Sequence, residues 1–125
     1  MSDIQIDQIL ITEHRAQMIP KNEEQLSSDC KAAMRMLADS DRLAFVYVIE
    51  CNGEFQKVHL PEFFWPILAD IHQKQVPVYL GNDDIELMDF HDELEMLLDN
   101  IPDNNNYGKA MEEAVAKHFL NHNRE

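Results

Sequence analysis

The sequence is poor in the residues that build several common kinds of site. Its 125 residues include three glycines and two cysteines. Gly53, Gly81 and Gly108 stand far apart at candidate turns, whereas a phosphate-binding loop needs its glycines clustered. Cys30 and Cys51 form no Cys-x-x-Cys motif and are too few for a disulfide framework, so we expect reduced thiols.

Long apolar runs and positive charge are also scarce. No apolar stretch approaches the roughly 18 residues of a membrane span, and no basic segment followed by an apolar one marks a signal peptide. Ten basic residues accompany 24 acidic ones, for a formal net charge of −14. Because nucleic acids and anionic membranes are negative, this charge argues against both as partners. We expect a cytoplasmic protein.

The chain is organised around a hairpin at residues 42–60. Residues 43–49 are apolar at every position and rich in β-formers, which predicts a central strand buried on both faces. Asn52-Gly53 suits a type I′ turn. The return strand then places Phe55, Lys57 and His59 on one face, and its other face looks inward.

Weaker signals surround this hairpin. Residues 1–20 predict an N-terminal hairpin, residues 28–38 have helical spacing, and Val76 to Leu80 suggests a strand at a sheet edge or one that starts at Pro77. Residues 89–122 predict a helical pair, with Asp89 as the N-cap of the first helix. We therefore expect one α+β domain, an antiparallel sheet with three to four helices packed on it.

Several motifs resemble a family of uncharacterised proteins. These motifs are Asp39-Ser40-Asp41 before the apolar strand, Asp99-Asn100-Ile101 at a helix end, and Asn104 to Lys109. With the position of Trp65 and the Asp89-Phe90-His91 helix start, they resemble the YjbL-like family of Bacillus, Staphylococcus and related Firmicutes. The resemblance covers roughly residues 34–120. It implies a small cytoplasmic bacterial protein and brings no catalytic residues with it.

The aromatic triplet Phe63, Phe64 and Trp65 is the main candidate for a surface site. Successive helical residues point about 100° apart, so at least one of the three should be exposed. Exposed aromatics often mark an interface, although Trp65 can equally cap the core. We predict an interface formed by Phe63, Phe64, Trp65, Val78, Asn104 and Tyr107.

Other constellations favour structural roles. His118 and His122 have the i, i+4 spacing of two metal ligands, but two ligands do not make a site. The loop Asp99 to Gly108 fails the calcium-loop pattern, since Tyr107 takes a ligand position. His91, Asp92 and Glu95 fit a solvated helix face better than an acid–base cluster. We assign no catalytic residue, cofactor or metal.

These features support three functional hypotheses. The first is a non-catalytic interaction or binding module, either a homodimer or a protein with an unidentified partner. The second is a small-ligand protein or enzyme with a site near His59, Trp65 and Asp89. The third is an acidic nucleic-acid mimic, suggested by the net charge.

Overall fold

The computed structural model describes residues 3–102 and 104–120. They form one small domain of seven strands and three α-helices. The strands are β1 (Asp3–Ile11), β2 (Ala16–Pro20), β3 (Lys31–Asp39), β4 (Ala44–Cys51), β5 (Glu54–Pro61), β6 (Val78–Leu80) and β7 (Ile85–Glu86); the helices are α1 (Trp65–Lys74), α2 (Phe90–Asn100) and α3 (Lys109–Val115). A π-helical turn, Ala116–Leu120, continues α3.

The seven strands form one mixed sheet in the order β3-β4-β5-β1-β2-β6-β7. The prediction of an antiparallel sheet was wrong in part, because β1 pairs in parallel with β5 and β2 in parallel with β6. Antiparallel neighbours joined by short turns leave a local signal in the sequence. The two parallel pairs join segments that are distant along the chain, so they leave no such local signal.

The central hairpin is confirmed. β4 lies between β3 and β5 and is buried at every position except Glu50. Asn52 and Gly53 both have positive φ, at 55° and 81°, as a type I′ turn requires. The N-terminal hairpin also forms, with β1 antiparallel to β2.

The helix suggested for residues 28–38 is instead the edge strand β3. Its pairing with β4 shifts register between Ala32 and Arg35, at a bulge where Met34 has φ 57°. An extra residue in a strand changes which side chains face the core. The apolar positions on either side of the bulge therefore lose their strict alternation and acquire a helix-like spacing.

The helices pack on one face of the sheet. Trp65 stacks on Phe45 with ring centroids 4.8 Å apart, and the ring centroids of Phe90 and Tyr47 lie 5.8 Å apart. Phe45 and Tyr47 alternate along β4 with Val46 and Val48, which consequently point to the opposite face. We call that opposite face of β3, β4 and β5 the outer face. The edge strands β3 and β7 lie near each other, so the sheet curls round its core.

The expectation of reduced thiols was wrong. Cys30 and Cys51 form a disulfide, with Cα atoms 4.1 Å apart. Because Lys31 pairs with Glu50, Cys30 and Cys51 are the next opposed positions of the β3–β4 ladder. Directly opposed residues of antiparallel strands come this close at non-hydrogen-bonded positions. Two cysteines 21 residues apart give no sign of this proximity in the sequence.

Two smaller predictions also need correction. The strand β6 is not an edge, because it pairs with both β2 and β7, and Pro77 lies immediately before it. Asp89 precedes α2 as predicted, but it adopts a left-handed conformation, and within the described part of the chain its side chain makes no capping hydrogen bond. Among the described residues, no helix is long and apolar enough to cross a membrane.

Candidate functional site

The aromatic triplet divides between surface and core. Phe63 is 82% exposed, whereas Trp65 is fully buried and Phe64 nearly so. Trp65 donates its indole N–H to the Leu60 carbonyl at 3.0 Å. The expectation that at least one of the three is exposed is confirmed, and Trp65 takes its place in the core.

The remaining residues of the predicted interface fall in two places, Val78 in the sheet and the hydrogen-bonded pair Asn104 and Tyr107 in one turn. Val78 is buried in β6, inside the sheet. Asn104 and Tyr107 are half-buried in the connection between α2 and α3, where the Asn104 side-chain oxygen accepts from the Asn106 N–H. An interface centred on Phe63 remains a prediction, and the buried side chains of Trp65 and Val78 contribute to it only as support.

The structure separates the three residues of the predicted small-ligand site. His59 is opposite Val46 in the β4–β5 register and so lies on the outer face. Trp65 packs against Phe45 on the helix-covered face, and Asp89 precedes α2 on that same face. Because the sheet stands between His59 and the other two, a single site built from all three is excluded.

His59 forms the floor of a cavity of about 360 Å³ on the outer face. Arg42 Nη1 lies 3.2 Å from His59 Nε2 and 3.1 Å from Asp3 Oδ2. A guanidinium can only donate, so Nε2 accepts and the ring N–H lies on Nδ1. Asp39 Oδ2 lies 3.8 Å from both Arg42 Nε and His59 Nε2. These polar groups satisfy one another, which favours a structural role for the cavity.

An apolar groove adjoins this cavity. It has a volume of about 280 Å³, and we call it the outer-face groove; its lining residues are Ala33, Arg35, Leu37, Val48, Phe55 and Lys57. Phe55 is 50% exposed and Leu37 is 38% exposed. Between them Val48 is buried by the side chains of the neighbouring strands. The groove therefore has an apolar floor and exposed apolar walls.

Sequence patterning found only half of this groove. The alternation in β5 correctly placed Phe55 and Lys57 on one face, together with His59. Arg35 and Leu37 were missed, because residues 28–38 resembled a helix. The signal in the sequence is the unbroken apolar run 43–49 that forms most of β4, because its buried outer face requires apolar neighbours on both sides.

His91, at the start of α2, is half-buried. Its Nε2 lies 2.6 Å from the Val76 carbonyl and donates to it, and its buried Nδ1 has no hydrogen-bond partner within the described residues. Beside it, His72 Nε2 lies 2.6 Å from Glu95 Oε1. The prediction of a solvated helix face holds for exposed Asp92 and Glu95 and is wrong for half-buried His91. Desolvation lowers the pKa of His91, and the neighbouring His72 adds to that effect.

The lowered pKa of His91 predicts a pH-dependent stability. The unfolded chain binds the proton at the ordinary pKa of about 6.5, and the folded protein binds it only at lower pH. Stability is therefore fully present above that pH and falls as the pH decreases towards the folded-state pKa. Urea unfolding at about pH 8 and about pH 5.5 should show this loss, and His91→Gln should reduce it. If the His91→Gln variant loses as much stability between these two pH values as the unmodified chain, the pH dependence arises from other groups.

No metal centre emerges from the described part of the chain. His118 Nε2 pairs with Glu62 Oε2 at 2.9 Å, and its ring packs edge-on against Trp65. His122, the other half of the predicted pair, lies outside the described residues. Within those residues, no three His, Cys, Asp or Glu side chains are placed to hold a metal ion.

Comparison with known proteins connects the chain to one family. The model of a family of unknown function, UPF0738, matches residues 4–119. The UPF0738 protein YjbL of Bacillus subtilis is 48% identical over 92 residues, covering 72% of this chain and 75% of that protein. A UPF0738 protein of Bacillus pumilus is 41% identical over 119 residues, covering 94% of this chain and 97% of that protein. No solved structure matches the chain.

Proposed function

The chain belongs to the UPF0738 family, whose function is unknown, and from its geometry we propose that it is a non-catalytic protein-interaction module. The docking surface of this module is the outer-face groove. The observation that carries the proposal is the pair of exposed apolar walls, Leu37 and Phe55, on a sheet face opposite to the helices. Contiguous exposed apolar surface rimmed by polar residues is typical of interaction sites.

The physical argument rests on the two faces of β4. An antiparallel sheet that leaves one face to solvent usually alternates apolar and polar residues. In β4, however, Val46 and Val48 on the outer face are as apolar as Phe45 and Tyr47 on the core face. The neighbouring side chains of Leu37 and Phe55 expose apolar surface to water. A partner that covers this surface gains about 25 cal/mol of binding free energy per Å² buried.

A second surface favours a homodimer. Phe63 projects beside an open groove that is also lined by Glu62, Pro66, Lys117 and His118. A single exposed phenylalanine is a small anchor, but large aromatic residues dominate the binding energy of many interfaces. We propose self-association through Phe63 as separate from docking at the outer-face groove. The acidic-mimic hypothesis rests on net charge alone and stays a prediction.

One crosslinking design tests both surfaces. The photoreactive residue p-benzoylphenylalanine replaces Phe55, Phe63 or, as a control, the exposed Met96 on α2. In cells of the native host, we expect a discrete adduct to another protein from position 55. That adduct should disappear when Leu37→Asp is added, because an aspartate would place an unpaired charge in the apolar groove. An adduct of twice the chain mass from position 63 would support the homodimer.

The control position decides how these adducts are interpreted. Equal products from positions 55 and 96 would indicate non-specific capture and contradict the proposed function. An adduct at position 55 that survives Leu37→Asp, with the circular dichroism spectrum unchanged, would contradict docking in the groove.

A further inference from the structure

The charge of the outer-face groove is opposite in sign to that of the protein. Among the residues that the structure describes, its lining includes Arg35 and Lys57 and no carboxylate, although the chain carries 24 acidic and 10 basic residues. Lys31 lies on β3 before the bulge and pairs with Glu50 of β4, so it also lies on the outer face. The exposed apolar walls therefore lie between cations on a strongly acidic protein.

Arg35 and Lys57 are the two cations that line the groove. Within residues 3–102 and 104–120, neither Arg35 nor Lys57 forms an ion pair. Asp3 is the in-register neighbour of Lys57 across β1 and β5, but its carboxylate binds Arg42 instead. A carboxylate that enters the groove would thus meet two cations without displacing an existing partner.

We propose that the outer-face groove binds an acidic segment of a partner protein, with an apolar side chain of that segment seated between Leu37 and Phe55. This inference rests on the proposed function and names its partner class. The apolar anchor supplies buried area, and carboxylates beside it pair with Arg35 and Lys57. Such charge complementarity raises the association rate and rejects basic partners.

A second copy of the chain fits this groove poorly. A two-fold interface is built from the same patch on both subunits. It would bring Arg35 and Lys57 of one copy close to the same cations of the other, and like charges repel.

Strand addition at the bulged part of β3 is also disfavoured. The backbone N–H of Met36 already donates to Glu93 Oε1 at 2.9 Å. An added strand needs free backbone groups along the edge. The segment therefore lies across the outer face and is recognised through side chains.

A selection from random peptides tests the inference while leaving the identity of the partner open. A displayed library of random 12-residue peptides is selected on the full chain and counter-selected on Phe55→Asp. We expect the retained peptides to be enriched in Asp and Glu beside an aromatic or aliphatic residue. Lys57→Glu should weaken their binding by about fivefold or more, because the reversal replaces an attraction at the rim of the groove by a repulsion. The matched reversal Lys109→Glu, on α3, should have little effect.

Charge reversal gives the strongest check. A repeat selection on the Arg35→Glu/Lys57→Glu variant should retain peptides rich in Lys and Arg. Binding of the original acidic peptides to the unmodified chain should also weaken as salt is raised, because rim charges are screened.

Each contrary outcome has a distinct meaning. Peptides that depend on Phe55 but show no acidic excess would overturn the acidic partner and leave the interaction module standing. A selection without Phe55-dependent peptides would count against both. Binding to phosphatidylglycerol vesicles that Lys57→Glu abolishes, without competition from the acidic peptides, would replace the protein segment by a membrane surface. A Phe55-dependent dimer in sedimentation would replace it by a second copy.

Discussion

Replacing Trp65 by alanine should lower the free energy of unfolding by about 3–5 kcal/mol, the range for truncating a large buried aromatic side chain. Trp65 is fully buried, stacks on Phe45 and contacts Phe119. It also donates to the Leu60 carbonyl, which the variant leaves buried without that partner. For a domain of 125 residues, whose ordinary free energy of unfolding is about 5–15 kcal/mol, such a loss removes a large part of the stability.

Chemical denaturation of three variants separates the causes. Trp65→Phe keeps an aromatic ring but loses the indole donor, so its loss should be smaller, about 1–3 kcal/mol. Phe63→Ala, two residues earlier, removes an exposed ring and should change stability by less than about 0.5 kcal/mol. A Trp65→Ala protein that unfolds like the unmodified chain but self-associates more weakly would instead place Trp65 in an interface.

Loss of the Cys30–Cys51 disulfide should lower the free energy of unfolding by about 3 kcal/mol, the value for a loop of this length in the chain-entropy model. The bond joins residues 21 apart in sequence and so restricts the unfolded chain. It also ties the start of β3 to the end of β4, next to the bulge that helps to line the outer-face groove. Its removal should therefore loosen the edge strand first.

Unfolding curves with and without reductant measure this contribution. The unmodified chain should shift to lower denaturant on reduction, whereas Cys30→Ala/Cys51→Ala should unfold at one midpoint in both conditions. Non-reducing mass analysis after thiol alkylation reports whether the bond is present. If the unfolding midpoint of the unmodified chain is the same with and without reductant, although mass analysis shows that the bond is broken, the bond has no stabilising role.

The accuracy of prediction from sequence depended on how local each feature is. The β4–β5 hairpin was predictable because its signals, an unbroken apolar run and Asn52-Gly53, lie within a few residues of each other. The amphipathic helix α2 was predictable for the same reason, since Phe90, Leu94 and Leu98 repeat along one face. Secondary structure with a regular period is encoded locally.

The edge strand β3 was not predictable in this way. Its bulge breaks the period of two, and Met34 occupies a conformation that a non-glycine residue adopts only when surrounding contacts hold it. One such contact comes from Glu93 on α2, whose Oε1 accepts the backbone N–H of Met36, two residues after Met34. Local spacing therefore favoured a helix, and tertiary contacts decided for a strand.

The sequence alone was enough to predict the hairpins, the helix α2, the acidic charge and the family resemblance, since each depends on neighbouring residues or on composition. The folded structure was needed to establish the mixed strand order, the Cys30–Cys51 bond, the burial of Trp65 and the grouping of Arg35, Leu37, Phe55 and Lys57 into one groove. These features join residues distant in sequence, and their positions are set by how the strands pair. Pairing between distant strands follows from the burial of the whole core, which no single segment of the sequence records.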